Sequence, residues 1–264
     1  MSSAASTLAI GHIGTGLEHV GDRFVAKDVN GWLQGRTMYG GASTFLAYSA
    51  IRKAIPDLPS LRAAQIGFVA PVGADVEIAV SVMRQGKNIS QIQTDLYCEG
   101  TLAQRGMWIF GGARPANGSV TASKVAGLTP VEEREPIPTP AGQHFVQNLE
   151  MRYAEAKGGE RPGVVSRWIR LKDRDGLDTM AELVLLGDAL PPGSIRAMER
   201  SGPISSINWA FTLLGDKPAT RDGWWLLEST SNHMAEGFDS ETMRMWNADG
   251  VEVMRGLQSV AIFG

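Results

Sequence analysis

Two stretches decide the organisation of this chain: Glu99-Gly100-Thr101-Leu102-Ala103-Gln104-Arg105-Gly106-Met107 and Asp249-Gly250-Val251-Glu252-Val253-Met254-Arg255-Gly256-Leu257, related by a constant offset of 150 residues. An acid, two glycines, an arginine and an apolar residue coincide, and Ser90 falls on Ser240 at the same offset. Each stretch reads as a tight acid-Gly turn between two antiparallel strands. Between them, Arg114 to Gly142 is rich in Pro, Ala, Gly, Ser and Thr and follows neither helical nor alternating periodicity, as a linker does. It leaves about 113 residues before it and 122 after it. A repeat that agrees with a linker-defined division points to duplication, with units at 1–113 and 143–264 joined by 114–142.

The surroundings of each turn follow one plan. In the first unit, Tyr39-Gly40-Gly41 opens a helix over Ala42 to Ile55, with apolar residues at 42, 45, 46, 50, 54 and 55 and a stop at Pro56. Strands are predicted at Leu61–Val69, Val76–Met83, Ile89–Cys98 and Gln104–Gly111. In the second, a helix over Met180–Leu190 is stopped by Pro191-Pro192-Gly193. Ile204–Leu214, Trp224–Thr230, Phe238–Trp246 and Val253–Phe263 are the matching strands. Phe24-Val25-Ala26, Met151–Ala154 and Val164–Leu171 add opening strands. One helix wrapped by an antiparallel sheet is an α+β arrangement, and strand-helix-strands is the order of a hotdog domain. Two tandem hotdog domains make a double hotdog, whose sheets can join edge to edge and so remove exposed strand edges.

Composition narrows the function. Of 264 residues, 43% are hydrophobic and 20% charged, and the formal net charge is −3. That balance lacks the basic surface of a nucleic-acid binder and points to small molecules or other copies of the chain as partners. No apolar stretch reaches about 18 residues, and Met1 to Gly14 lacks a basic start, so neither a membrane span nor a signal peptide is expected and a cytoplasmic location is. The lone Cys98 sits in a strand pattern and reads as a packing residue. The four histidines show no metal-ligand spacing, and His12-Ile13-Gly14-Thr15-Gly16 lacks the flanks of a phosphate loop. No metal or cofactor is expected.

Glu228-Ser229-Thr230-Ser231, then Gly237-Phe238, Asp249-Gly250 and Gln258, resembles the C-terminal half of type II acyl-CoA thioesterases. Tyr39-Gly40-Gly41, Phe68-Val69-Ala70-Pro71-Val72-Gly73 and Arg84-Gln85-Gly86-Lys87 resemble the N-terminal half. The resemblance implies an acyl-CoA or related acyl thioester as substrate. It also implies a catalytic Asp188 at the end of the second helix, Ser206 on the next strand in place of the family's Thr or Ser, and Gln258 on the last strand. The chemistry is consistent: a carboxylate can take a proton from water, a hydroxyl relay it and an amide orient the pair. Without a placed histidine, Ser206 is no activated nucleophile. Backbone N–H groups at a Gly-Gly helix start are natural oxyanion donors, which nominates Gly40 and Gly41 and predicts that Gly41→Val abolishes turnover in a folded protein.

Each residue has a plainer reading. Asp188 can be a local hydrogen-bonding residue, Ser206 a cross-strand one with Ser205 on the opposite face, and Gln258 a surface Gln. Gln258 aligns with Trp108 at the repeat offset, as one active site per pair of domains requires. Arg84, Lys87, Arg105 and Arg255 are candidates for coenzyme A phosphates or solvated cations, and His233 for a pocket or solvent position. A non-catalytic acyl-thioester binder of the same fold is the alternative function. An enoyl-CoA hydratase would need an Asp and His pair on a helix, which the sequence lacks.

Overall fold

The computed structural model of the protein describes residues 9–121, 124–125, 127–140, 142, 144–156 and 159–263. Residues 1–8 of the N-terminal reading and positions 122–123, 126 and 141 of the 114–142 stretch lie outside them.

The first unit runs α1 (Ile10–Thr15), β1 (Glu18–Val20), β2 (Arg23–Ala26), β3 (Leu33–Gln34), β4 (Thr37–Met38), α2 (Gly40–Ala54), β5 (Leu61–Phe68), β6 (Val76–Gln85), β7 (Ile89–Cys98) and β8 (Thr101–Gly111). The second runs β9 (Leu149–Tyr153), β10 (Val164–Leu171), α3 (Thr179–Leu186), β11 (Ile204–Leu213), β12 (Trp225–Ala235), β13 (Phe238–Asn247) and β14 (Glu252–Ile262). Among the described residues, twelve strands form one antiparallel sheet in the order β1-β2-β6-β7-β8-β5-β11-β14-β13-β12-β10-β9. The repeat is visible in that order: β8 flanks β5 as β14 flanks β11, and the halves join where Ala63 faces Thr212 and Gly67 faces Asn208. This is the tandem hotdog arrangement, with both helices on one face of a continuous sheet and the inner edges paired rather than exposed.

Local chemistry explains the elements. In β7, Ser90, Ile92, Thr94 and Leu96 alternate inward, a period of two that buries one face. Glu99 and Gly100 both take positive φ, at 50° and 73°, as a two-residue hairpin turn needs. At the second turn Gly250 has φ 74°, and the Asn247 side chain accepts the N–H groups of Asp249 and Val251 at 3.1 and 2.9 Å. Helix α3 is capped by Asp178, whose carboxylate accepts the Ala181 N–H at 2.8 Å. The two helices pack through Tyr39, whose hydroxyl donates to the Leu185 carbonyl at 2.7 Å.

Two expectations are revised. Helix α3 ends at Leu186, not Leu190, because Gly187 lies tight against the Trp209 ring and the chain turns there; Ala189 and Leu190 extend the apolar run only because the loop itself is buried. Strand β12 runs five residues beyond Thr230, through a bulge between Ser231 and His233 whose polar, exposed residues hide the strand pattern. The Gly-rich His12 region forms α1, where Gly11 meets the backbone of Asp175 and Gly176 and Gly14 meets Phe45 and Ser49. In the 114–142 stretch, Val131 is buried beside Trp224 and Trp246, and the Ile137 N–H donates to the Met151 carbonyl at 2.8 Å.

Candidate active site

Asp188 stands in the loop just after α3, where the helix turns off against Trp209. A cavity of about 590 Å³ opens beside it, between the two halves of the chain. Its walls come from β4, the start of α2, the segment 68–72, the segment 144–146, β10, the loop 188–192 and the start of β11. Most of the lining is apolar, with Phe68, Phe145, Val165 and Leu190 prominent. Asp188 keeps part of its surface open to this space.

The Gln258 amide Nε2 donates to Asp188 Oδ1 at 2.8 Å. Gln258 is buried on the inner face of β14, opposite Trp209 on β11 and Glu241 on β13. Trp108, its counterpart at the repeat offset, is equally buried, but its indole N–H donates to the Thr94 hydroxyl at 2.8 Å. The first half therefore fills with an indole the position where the second half has an amide and a carboxylate.

The start of α2 faces Asp188. The Gly41 N–H lies close enough to the carboxylate to favour its charged form, and Gly40 lies directly against Asp188 Oδ2. Neither glycine has room for a side chain, since a Cβ on Gly40 would strike Asp188 and Phe68 and one on Gly41 would strike the Leu185 carbonyl and the Tyr39 ring. The expectation for Gly41→Val is corrected here, because that change strikes the α2–α3 packing as well as the site. Even Gly41→Ala is expected to cost about 1–3 kcal/mol of stability by overpacking. An unchanged Tm would show that the helices can move apart freely.

Ser206 lines the same cavity, without a hydrogen bond to Asp188 or Gln258. It faces inward because a β-bulge at Ile207 inserts one extra residue. Ser206 thereby pairs with Val260, and Trp209 with Gln258, on one buried face. Strict alternation would have put Ser206 and Trp209 on opposite faces.

Burial raises the Asp188 pKa to about 7; Gln258 pulls it back, Glu241 pushes it up further, and the Gly41 N–H pulls it back again. The sequence reading missed Glu241. This buried residue accepts the Gly193 N–H at 2.9 Å and the Ser229 hydroxyl at 2.8 Å, and its own pKa is raised to about 7, chiefly by burial. Next to it Asp239 accepts from Ser231 at 2.7 Å. Glu241 Oε1 and Asp239 Oδ2 have no partner among the described residues. The only prior signal was an acid at an inward position of an alternating strand.

Other candidates lie elsewhere. Arg105 is paired with Asp95 at 2.6 Å and Arg255 with Glu252 at 2.8 Å, so neither is an unengaged cation. His233 is exposed and away from the cavity. His144 does line it, with its Nδ1 accepting the Val146 N–H at 3.4 Å and its pKa lowered by burial. It has no hydrogen bond to Ser206, so no Ser-His nucleophile is assembled.

Comparison with known protein families matches residues 128–262 to the acyl-CoA thioesterase C-terminal domain and residues 29–111 to the acyl-CoA thioesterase N-terminal domain. The chain belongs to the acyl-CoA thioesterase family. Among solved structures it is similar to a hot dog fold protein of unknown function from Alicyclobacillus acidocaldarius, at 17% identity and a TM-score of 0.85, covering 97% of this chain and 99% of that one. It is also similar to an acyl-CoA thioesterase II, TesB2, from Mycobacterium marinum, at 15% identity and TM-score 0.75, covering 96% and 97%. A tesB protein from Mycobacterium avium subspecies paratuberculosis gives 17% and 0.77, covering 97% and 100%. At these identities the likeness concerns the fold. The comparison with curated proteins gave no match. No helix among the described residues is long and apolar enough to cross a membrane.

Proposed function

We propose that this acyl-CoA thioesterase family member hydrolyses an acyl-CoA or related acyl thioester to the free acid and thiol, using a water oriented by Asp188, Ser206 and Gln258. The observation that carries the reading is the Gln258–Asp188 hydrogen bond at 2.8 Å beside an apolar cavity large enough for an acyl group. In this mechanism Asp188 takes a proton as water attacks the thioester carbonyl. The oxyanion accepts from a backbone N–H at the start of α2, and collapse expels the thiolate, which recovers the proton from Asp188. Gly40 is the better oxyanion donor of the nominated pair, because the Gly41 N–H already serves Asp188. No acyl-enzyme forms, and neither metal nor cofactor enters.

A thiol-release assay across acyl-CoA chain lengths tests the reading, and a folded protein inert towards every length would sink it. The alternative, a non-catalytic acyl-thioester binder, predicts ligand-dependent stabilisation without turnover. Ser206→Ala is expected to lower kcat about tenfold, the worth of one relay hydrogen bond, with KM nearly unchanged. Wild-type kcat would remove the hydroxyl from the mechanism.

We further propose units at 1–113 and 143–264 with 114–142 between them, a cytoplasmic location, no nucleic-acid or membrane partner, and a homo-oligomer. The exposed apolar side chains of Met107, Ile109 and Leu257 on the outer sheet face support the last of these.

A further inference from the structure

Two charged side chains, Asp188 and Arg167, line the cavity among the described residues. They are not paired with each other. Arg167 stands on β10 between Val165 and Ile169, whose side chains are buried in the core, so it occupies an inner-face position that the strand's alternation reserves for apolar groups. A guanidinium at such a place ordinarily has a carboxylate beside it. Of the acids near it, Glu155 is paired with Arg161 at 3.2 Å and with Arg196 at 3.7 Å, Glu160 acts on it through its charge alone, and no carboxylate among the described residues pairs with Arg167.

What holds Arg167 is neutral. Its Nη1 donates to the Ser166 carbonyl at 2.7 Å, and its guanidinium lies 5.0 Å from the centre of the Tyr153 ring. Its other N–H groups have no acceptor among the described residues. Burial, and then the charge of Arg196, lower its pKa, as expected of a cation short of compensation. The planar fork is thus oriented, with N–H groups left for an incoming acceptor, a form suited to carboxylate or phosphate.

The cavity's geometry sets the reach. In the sheet, Gln258 faces Glu241, Glu241 faces Ser231, and the Ser231 N–H donates to the Gly163 carbonyl at 2.8 Å. Arg167 is four residues further along β10, so its Cα stands roughly 14 Å across the strands and roughly 13 Å along them from that of Gln258. Gln258 reaches the cavity only through Asp188, while Arg167 lines it directly, and a Cα separation of roughly 19 Å leaves room on the order of a medium acyl chain or a pantetheine arm.

We propose that Arg167 is the anion anchor of the substrate cavity, binding an oxyanion group that the thioester carries at a distance from its reacting carbonyl. This rests on the thioester reading of the site. Two parts of such a substrate present that chemistry: a carboxylate at the far end of the acyl group and a phosphate of coenzyme A.

The test measures binding, so that it does not depend on turnover. In full-length protein carrying Asp188→Asn to keep the ester intact, calorimetric Kd values are compared for octanoyl-CoA, suberyl-CoA and octanoyl-pantetheine, with Arg167 intact and as Arg167→Met. A loss of tenfold or more for both CoA thioesters, with octanoyl-pantetheine unchanged, supports the anchor and identifies a phosphate. The same loss confined to suberyl-CoA supports it and identifies an acyl carboxylate. Equal loss for all three ligands, or no loss, overturns it, because packing would then explain Arg167. Arg167→Lys is expected to restore part of the lost affinity, and Arg167→Gln replaces Arg167→Met if the latter does not fold. A wild-type protein that hydrolyses no thioester would refute the proposed reaction and leave this comparison intact.

Discussion

Asp188→Asn is expected to lower kcat by about 10²- to 10⁴-fold, the usual worth of a positioned general base, and at the same time to make the protein more stable at pH 8. Both effects have one origin. Asparagine keeps the shape and still meets Gln258, but it cannot take a proton from water. The stability gain follows from the carboxyl's pKa, raised by burial from 3.8 to about 7. A carboxyl whose folded-state pKa lies above its unfolded value binds its proton more tightly in the native state. Its full contribution to stability is present below about pH 4 and is lost as pH rises to 7 and beyond. Asp188 therefore costs about 2–4 kcal/mol in its charged, active form, and the amide removes that cost. The same pKa requires kcat/KM of the wild type to rise with pH through about 7. Tm measured from pH 5 to 8, with kcat at each pH, checks all three statements. Wild-type turnover by the Asn variant would eliminate Asp188 as base, and a pH-independent difference in Tm would contradict the raised pKa.

The fold was legible because its signals are local and duplicated. Val76, Ile78, Val80 and Val82 alternate, Pro56 follows the end of the first helix, and the acid-Gly turns recur at a fixed offset. The site was legible only in part. Asp188 and Gln258 lie seventy residues apart, and their contact depends on how α3 ends over β14, which no periodicity reports. The orientation of Ser206 depends on a bulge at Ile207, and a one-residue insertion is invisible in an apolar-polar pattern. Arg167 and Glu241 escaped for a related reason: in sequence each is one charge among the 53 of the chain. Alternation in each strand hints at an inward position, but only the sheet shows which of its faces is buried. Asp188 at the start of α2 was likewise beyond the sequence, since that contact crosses from one half of the chain to the other. It places the Gly-Gly helix start beside the proposed base, on the wall of the cavity.

Glu241 separates a structural role from a functional one more sharply than any other residue near the site. Its Oε2 accepts from the Gly193 N–H and the Ser229 hydroxyl, tying the turn after Pro192, which walls the cavity, to the floor of the sheet. Glu241→Ala strands both donors in a buried place and is expected to cost about 2–4 kcal/mol. Glu241→Gln keeps a carbonyl oxygen for them and is expected to cost much less. The two variants thus report the scaffold. The charge is reported by pH. Asp188 is pressed by Glu241, held down by Gln258 and the Gly41 N–H, and has Tyr39 as its remaining titratable neighbour; Glu241 in turn is pressed by Asp239. Removing the Glu241 charge relieves a like-charge repulsion on Asp188, so its carboxylate forms at lower pH. The rising limb of kcat/KM should move to lower pH in Glu241→Gln, while kcat at pH 8 stays near the wild-type value. A purely structural Glu241 would lower the plateau and leave the limb in place. If the limb does not move, the two carboxyls titrate independently and the proximity of Glu241 to the base has no catalytic consequence.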